Sequence, residues 1–283
     1  VSTSNDIYVA GRYYNGSNTD VLVRKYNSSG SKLWTRYYNS AGNLSDTGRG
    51  IAVGNDGSVY VSGSEGVSVE GDNIWVRKYD ANGLAQWTTT YNNIMNGTDV
   101  GYGVAVDTNG YVYVTGYETV TGQGANIWVR KYDTNGSIQW TTTYNDTANG
   151  TDRGQGIAVD GEHVYITGRE TVTGQGTDIW IRKYDTNGLI GWTTTYNGVA
   201  NSNDAGYSIA VDSVGYVYVT GYETMPTESE NVWVRKLDTN GLTQWTTTYN
   251  NPANWYDNGR AIAVDNNGSV YVAGMESIIA ADS

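Results

Sequence analysis

Carboxylates are the groups in this chain whose type best suits them to chemistry, and most recur in step. Glu65, Glu118, Glu170, Glu223 and Glu276 each follow a VYV-type run at the same spacing. Glycoside hydrolysis needs an acid and a base in unlike surroundings; five equivalent glutamates describe a ring instead. Glu162, Glu228 and Glu230 break the pattern, but they fall in turns or loops with no evident partner. His163 is the single histidine, in the turn GEHVY, and no Ser and Asp arrangement points to it. The absence of Cys removes thiolate metal sites, disulfides and cysteine nucleophiles together. These residues predict a protein that is not an enzyme and needs no cofactor or metal.

A second set pairs basic residues with aromatics. Arg77, Arg130, Arg182 and Arg235 occupy four copies of a WVRKY-type run. Strand alternation puts Trp128, Arg130 and Tyr132 on one face and Ile127, Val129 and Lys131 on the other. A partly buried guanidinium needs a partner. The repeated aspartates Asp99, Asp152, Asp204 and Asp257, with Asp46 before them, are the natural choice. The expectation is a set of buried Arg–Asp pairs, with the neighbouring lysines snorkelling to solvent. The rival, a basic stripe for an anionic ligand, is disfavoured by a formal charge of -12, which also argues against nucleic acid and anionic membranes as partners.

Binding, where it occurs, is expected on loops held by a rigid scaffold. The stretches YETVTGQGAN, RETVTGQGTD and YETMPTESEN read as long loops and contain Glu118, Glu170 and Glu223. NNPANWYDNG places Asn254, Trp255 and Tyr256 where sister segments carry Gly, Leu or Ser; an exposed Trp beside Tyr could stack on a sugar or anchor a protein. The DTNG segments loosely echo a calcium loop, but lack its oxygen count and read as plain Asx-turns.

The elements that must position these groups come from an internal repeat. Trp34, Trp87, Trp140, Trp192 and Trp245 stand 53, 53, 52 and 53 residues apart. Each unit holds four short runs rich in Val, Ile, Thr, Tyr and Trp, punctuated by Asn-Gly or Asp-Gly. The fold is therefore expected to be all-β, a single domain over residues 1–283: a five-bladed β-propeller of four-stranded antiparallel blades. Six VYV-type runs against five of each other type give twenty-one strands for twenty places. The ring is expected to close by sharing one blade between the N- and C-terminal segments. Ile7, Tyr8 and Val9 then compete with Val270, Tyr271 and Val272 for one slot. The surplus strand could add to the sheet edge of a second copy and build a filament or tube.

The unit AVDTNGYVYVTGYE…NIWVRKYDTNGSIQW resembles the SBBP type of bacterial and archaeal β-propeller repeat, and its YDTNGxxxW ending is similar to the tryptophan-docking ending of quinoprotein-like blades. The resemblance implies a secreted or cell-surface propeller, often a module of a larger protein, and transfers no catalytic signature. The opening VSTSND reads as a processed or excised chain. Two functions follow as expectations: a structural or adhesive module of self-associating copies, and a glycan-binding lectin, with a glycoside-active enzyme a distant third.

Overall fold

A computed structural model describes residues 5–227 and 229–278, so Glu228 lies outside the described residues. Among the described residues there are twenty-one strands, the number counted from the sequence. They divide between two compact units, Val1–Tyr144 and Asn145–Ser283.

In the first unit, β1 (Ile7–Tyr14), β2 (Thr19–Tyr26) and β3 (Lys32–Tyr38) form a three-stranded sheet. Two four-stranded sheets follow: β4 (Thr47–Val53), β5 (Val59–Val67), β6 (Gly71–Tyr79) and β7 (Ala85–Tyr91), then β8 (Val100–Val106), β9 (Val112–Val120), β10 (Gly124–Tyr132) and β11 (Ile138–Tyr144). The second unit has two more: β12 (Arg153–Val159), β13 (His163–Val172), β14 (Gly176–Asp185) and β15 (Ile190–Tyr196), then β16 (Ala205–Val211), β17 (Val217–Met225), β18 (Ser229–Leu237) and β19 (Thr243–Tyr249). It ends in a two-stranded sheet of β20 (Asn258–Val264) and β21 (Val270–Met275). Each sheet is an antiparallel meander in chain order, because each turn is too short for a crossover.

The second and third strands of the four-stranded sheets are buried on both faces: Ile127, Trp128 and Val129 are all sealed. Near-continuous apolar runs replace simple alternation there, as in any strand covered on both sides. The first strand carries a bulge, between Gly101 and Gly103 in β8. Beside it, Gly116 of β9 lies so close to its neighbour that a Cβ would sit 1.9 Å from the Val100 carbonyl oxygen; no other residue fits.

The long loops expected from the sequence are mostly strand. β9 runs to Val120 and β10 resumes at Gly124, with Glu118 paired opposite Asn126. Thr- and Glu-rich composition suggests a loop, but the ladder continues through it.

Candidate functional site

Within each unit, matched glutamates lie in the seams between adjacent sheets. Within the first unit, Tyr91 at the end of β7 donates to Glu118, and Asn93 Nδ2 donates to the same carboxylate at 2.9 Å. The Tyr91 ring lies 5.3 Å from Trp128 and 4.5 Å from the Arg130 guanidinium. Tyr38 repeats this with Glu65, Trp75 and Arg77. In the second unit, Tyr196 donates to Glu223 at 2.5 Å and packs on Trp233 and Arg235. Burial and then the glutamate push the Tyr91 and Tyr196 phenols up, so they remain donors. Each tyrosine precedes its glutamate by 27 residues, a sequence signal as regular as the tryptophan step. Glu118, Glu170 and Glu223, read as ligand-binding candidates, are buried. For Glu118 and Glu223 the occupant is the tyrosine of the adjoining sheet.

The predicted arginine–aspartate pairing is corrected. Asp99 accepts the backbone N–H groups of Asn93 and Thr119 at 2.5 and 2.8 Å. Asp46, Asp152, Asp204 and Asp257 do the same in their own loops. All five are fully buried, each tying a sheet-to-sheet loop to the end of a second strand. Two orphan amides offer more to a fixed carboxylate than one distant guanidinium. Burial still opposes ionisation, raising Asp99 and Asp204 to about 6. Arg77, Arg130, Arg182 and Arg235 instead direct Nε to the Thr hydroxyl opposite and lay their planes on aromatic rings.

Lys131 and Lys236 do not snorkel either. Lys131 is buried, with Nζ 4.1 Å from the Tyr111 ring centroid and 5.2 Å from Tyr113; Lys236 sits likewise between Tyr216 and Tyr218. Trp87 and Trp192 dock outside this layer, donating their indole N–H to the Thr134 and Thr239 carbonyls of the adjacent sheet. Gly136 (φ +83°) lets the turn close on the Trp87 ring, which a Cβ would meet at 2.9 Å.

Three departures from the repeat distinguish the second unit. Asp178 faces Glu170 across β13 and β14, where Asn73, Asn126 and Asn231 face their glutamates. Burial first, then the charges of Asp204, Glu170 and Asp146, raise Asp178 to about 7. Next, the β12–β13 turn is a residue short and begins β13 with His163, beside a cavity of about 560 Å³. Last, Trp255 and Tyr256 are 60% and 53% exposed. Asn254 beside them is a turn residue at φ 54°, its side chain accepting from Asn250. Glu230 accepts from Asn258 Nδ2, and Glu162 is exposed at the cavity rim. Among the described residues, no cluster of three His, Cys, Asp or Glu could hold a metal.

The SBBP family model, described as a beta-propeller repeat, matches residues 86–117 and 192–222, one stretch in each unit. No curated protein matches the chain in sequence. Among solved structures, the β-propeller domain of the Trilobed protease from Pyrococcus furiosus is similar at a TM-score of 0.53 and 10% identity, over 98% of this chain and 77% of that one. A glucose dehydrogenase structure is similar at 0.55 and 9% identity, over 94% and 92%. A eukaryotic initiation factor structure gives 0.46 and 11%, over 88% of this chain and 54% of that one, so the chain spans about half of its length. Such distant likeness is one of fold alone: all-β, with propeller-type sheets.

Proposed function

We propose that this chain is a non-enzymatic, extracellular or cell-surface β-propeller of five blades, serving as a structural or adhesive module whose copies join head to tail. One observation carries the reading: the two incomplete sheets offer five strands where the four-stranded template has four places. β1 already occupies the position beside β2, so it competes with β21 for the same role. Among the described residues, β21 pairs with β20 alone and β1 with β2 alone, so each strand has a free edge. Ile7, Val9, Tyr271 and Val272 on these strands are exposed. Open apolar edges of this kind template strand addition. Because the contact joins unlike edges, it need not close into a small ring. The sequence-based expectation of one chain closing its own shared blade uses the same complementarity, once one of the two strands is displaced. The Pyrococcus furiosus domain has an open velcro topology, which is consistent with propellers that leave this joint unsealed.

Light scattering across a concentration series tests the reading. Full-length protein is expected to grow in mass with concentration. Deletion of residues 1–13 frees β2 for β21 of the same chain, and should give a folded monomer. A full-length protein that stays monomeric at high concentration overturns it. The exposed Trp255 and Tyr256 favour a second reading, glycan binding, for which a glycan array with Trp255→Ala as control is the direct test.

A further inference from the structure

Two cavities open at the turn ends of the seams, and both lie where a tyrosine is missing from the lysine layer. In the sheets of β8–β11 and β16–β19, Tyr111 and Tyr216 cover their lysines at 4.1 Å. Ser58 stands at that position in the β4–β7 sheet, and His163 in the β12–β15 sheet. Beside Lys78 the cavity is about 240 Å³; beside Lys183, where the turn is also a residue short, it is about 560 Å³.

His163 does not replace the missing ring. Its Nδ1 turns to Asp160 Oδ2 at 3.4 Å, a carboxylate already accepting the Tyr165 hydroxyl at 2.8 Å. Lys183 keeps Tyr165 beneath it, with Nζ 5.5 Å from the ring centroid, and donates to the Thr239 carbonyl at 3.3 Å. An ammonium held between two rings at Lys131 and Lys236 therefore has one ring here, and faces an open volume on the other side. Val159, Val211 and Val214 give that volume apolar walls, while Glu162 and Asp212 place acceptors on its lining.

We propose that the cavity beside Lys183 binds a free planar aromatic molecule that carries a hydrogen-bond donor, of the phenol class. The ring takes the place that Tyr111 and Tyr216 fill in the sister sheets, with its face on the Lys183 ammonium and its edge against the valines. The donor reaches one of the acidic side chains on the lining. A cavity of this size exceeds a single phenol ring, so substituents on the ring are accommodated. The site is independent of any association between copies.

Isothermal titration of the full chain with p-cresol, and with 4-methylcyclohexanol as the saturated analogue, is the test. The aromatic compound is expected to bind at least about fivefold more tightly than the saturated one, as a cation–π contact requires. Lys183→Gln keeps the cavity and should erase that preference; His163→Tyr should fill the cavity and weaken both. Unchanged melting temperatures establish that the variants are folded. Equal affinity for the two compounds, no binding up to the solubility limit, or a preference that survives Lys183→Gln overturns the proposal.

Discussion

The seam at Tyr196 and the slot at Tyr249 are built from the same repeat, and only one of them is finished. Tyr196 is sandwiched by Trp233 and Arg235 from the next sheet and donates to Glu223. Tyr249 makes the corresponding bond to Glu276 at 3.1 Å, yet it is 50% exposed. Where β18 would bring a Trp and an Arg, the sheet of β20 and β21 leaves a cavity of about 350 Å³ lined by Val232, Val234, Val272 and Met275. The hydrogen bond therefore comes from the tyrosine and the second strand alone, while the burial comes from the third strand. Sequence identity between repeats does not make their seams energetically alike.

The largest expected effect breaks the finished seam. Trp233→Ala removes a fully buried indole and should cost ~3–5 kcal/mol. Tyr249→Ala in the full-length chain should cost under about 1 kcal/mol, as for other exposed positions. Urea unfolding of both variants measures the contrast. In the protein lacking residues 1–13 the Tyr249→Ala cost should rise toward that of a buried tyrosine. An equally large cost in the dilute full-length protein would mean that the slot is already filled by the chain's own N-terminal sheet.

The strands were legible because the alternation and Asn-Gly punctuation repeat, and each repeat checks the others. Partners were harder to read. Asp99 and Arg130 both recur at fixed spacing, so period alone could not separate a pair from two residues with independent duties. The deciding fact is the pair of backbone amides at Asn93 and Thr119, which carry no side-chain signature. Glu118 was visible as part of a ring, but its use depended on Tyr91, a neighbour 27 residues earlier that reads as an ordinary strand aromatic. The cavity beside Lys183 left two traces, the 52-residue step and the lone histidine. Neither says that a ring has gone missing until the lysines of the sister sheets are seen between two tyrosines.

A smaller effect sharpens what the arginine layer contributes. With Lys131 enclosed by Tyr111 and Tyr113, Arg130→Met and Lys131→Met should each cost about 1–2 kcal/mol, the range of partly desolvated cation–π contacts. Comparable melting temperatures are expected. A far larger loss for Arg130→Met would restore a buried ion pair with Asp99 as its main partner.

The smallest effect concerns a ladder within the second unit that carries an extra carboxyl group. Asp178 and Glu170 are both buried and face each other where the sister ladders place Asn against Glu. Because the folded protein holds the Asp178 proton up to about pH 7, while the unfolded chain releases it near the usual carboxylate value, the folded state binds more protons between about pH 4 and 7. Stability therefore falls as pH rises through that window, and the loss is complete above it. Asp178→Asn removes the loss and gives the position the amide found in the other sheets, where Asn126 Nδ2 donates to Gln123 at 2.7 Å. The variant should match the parent near pH 4 and gain about 1 kcal/mol by pH 8, allowing for solvent screening. Thermal unfolding at the two pH values reads the difference directly. A gain of the same size at pH 4 would trace it to the hydrogen bond, and no gain at pH 8 would mean that this ladder tolerates both carboxylates ionised.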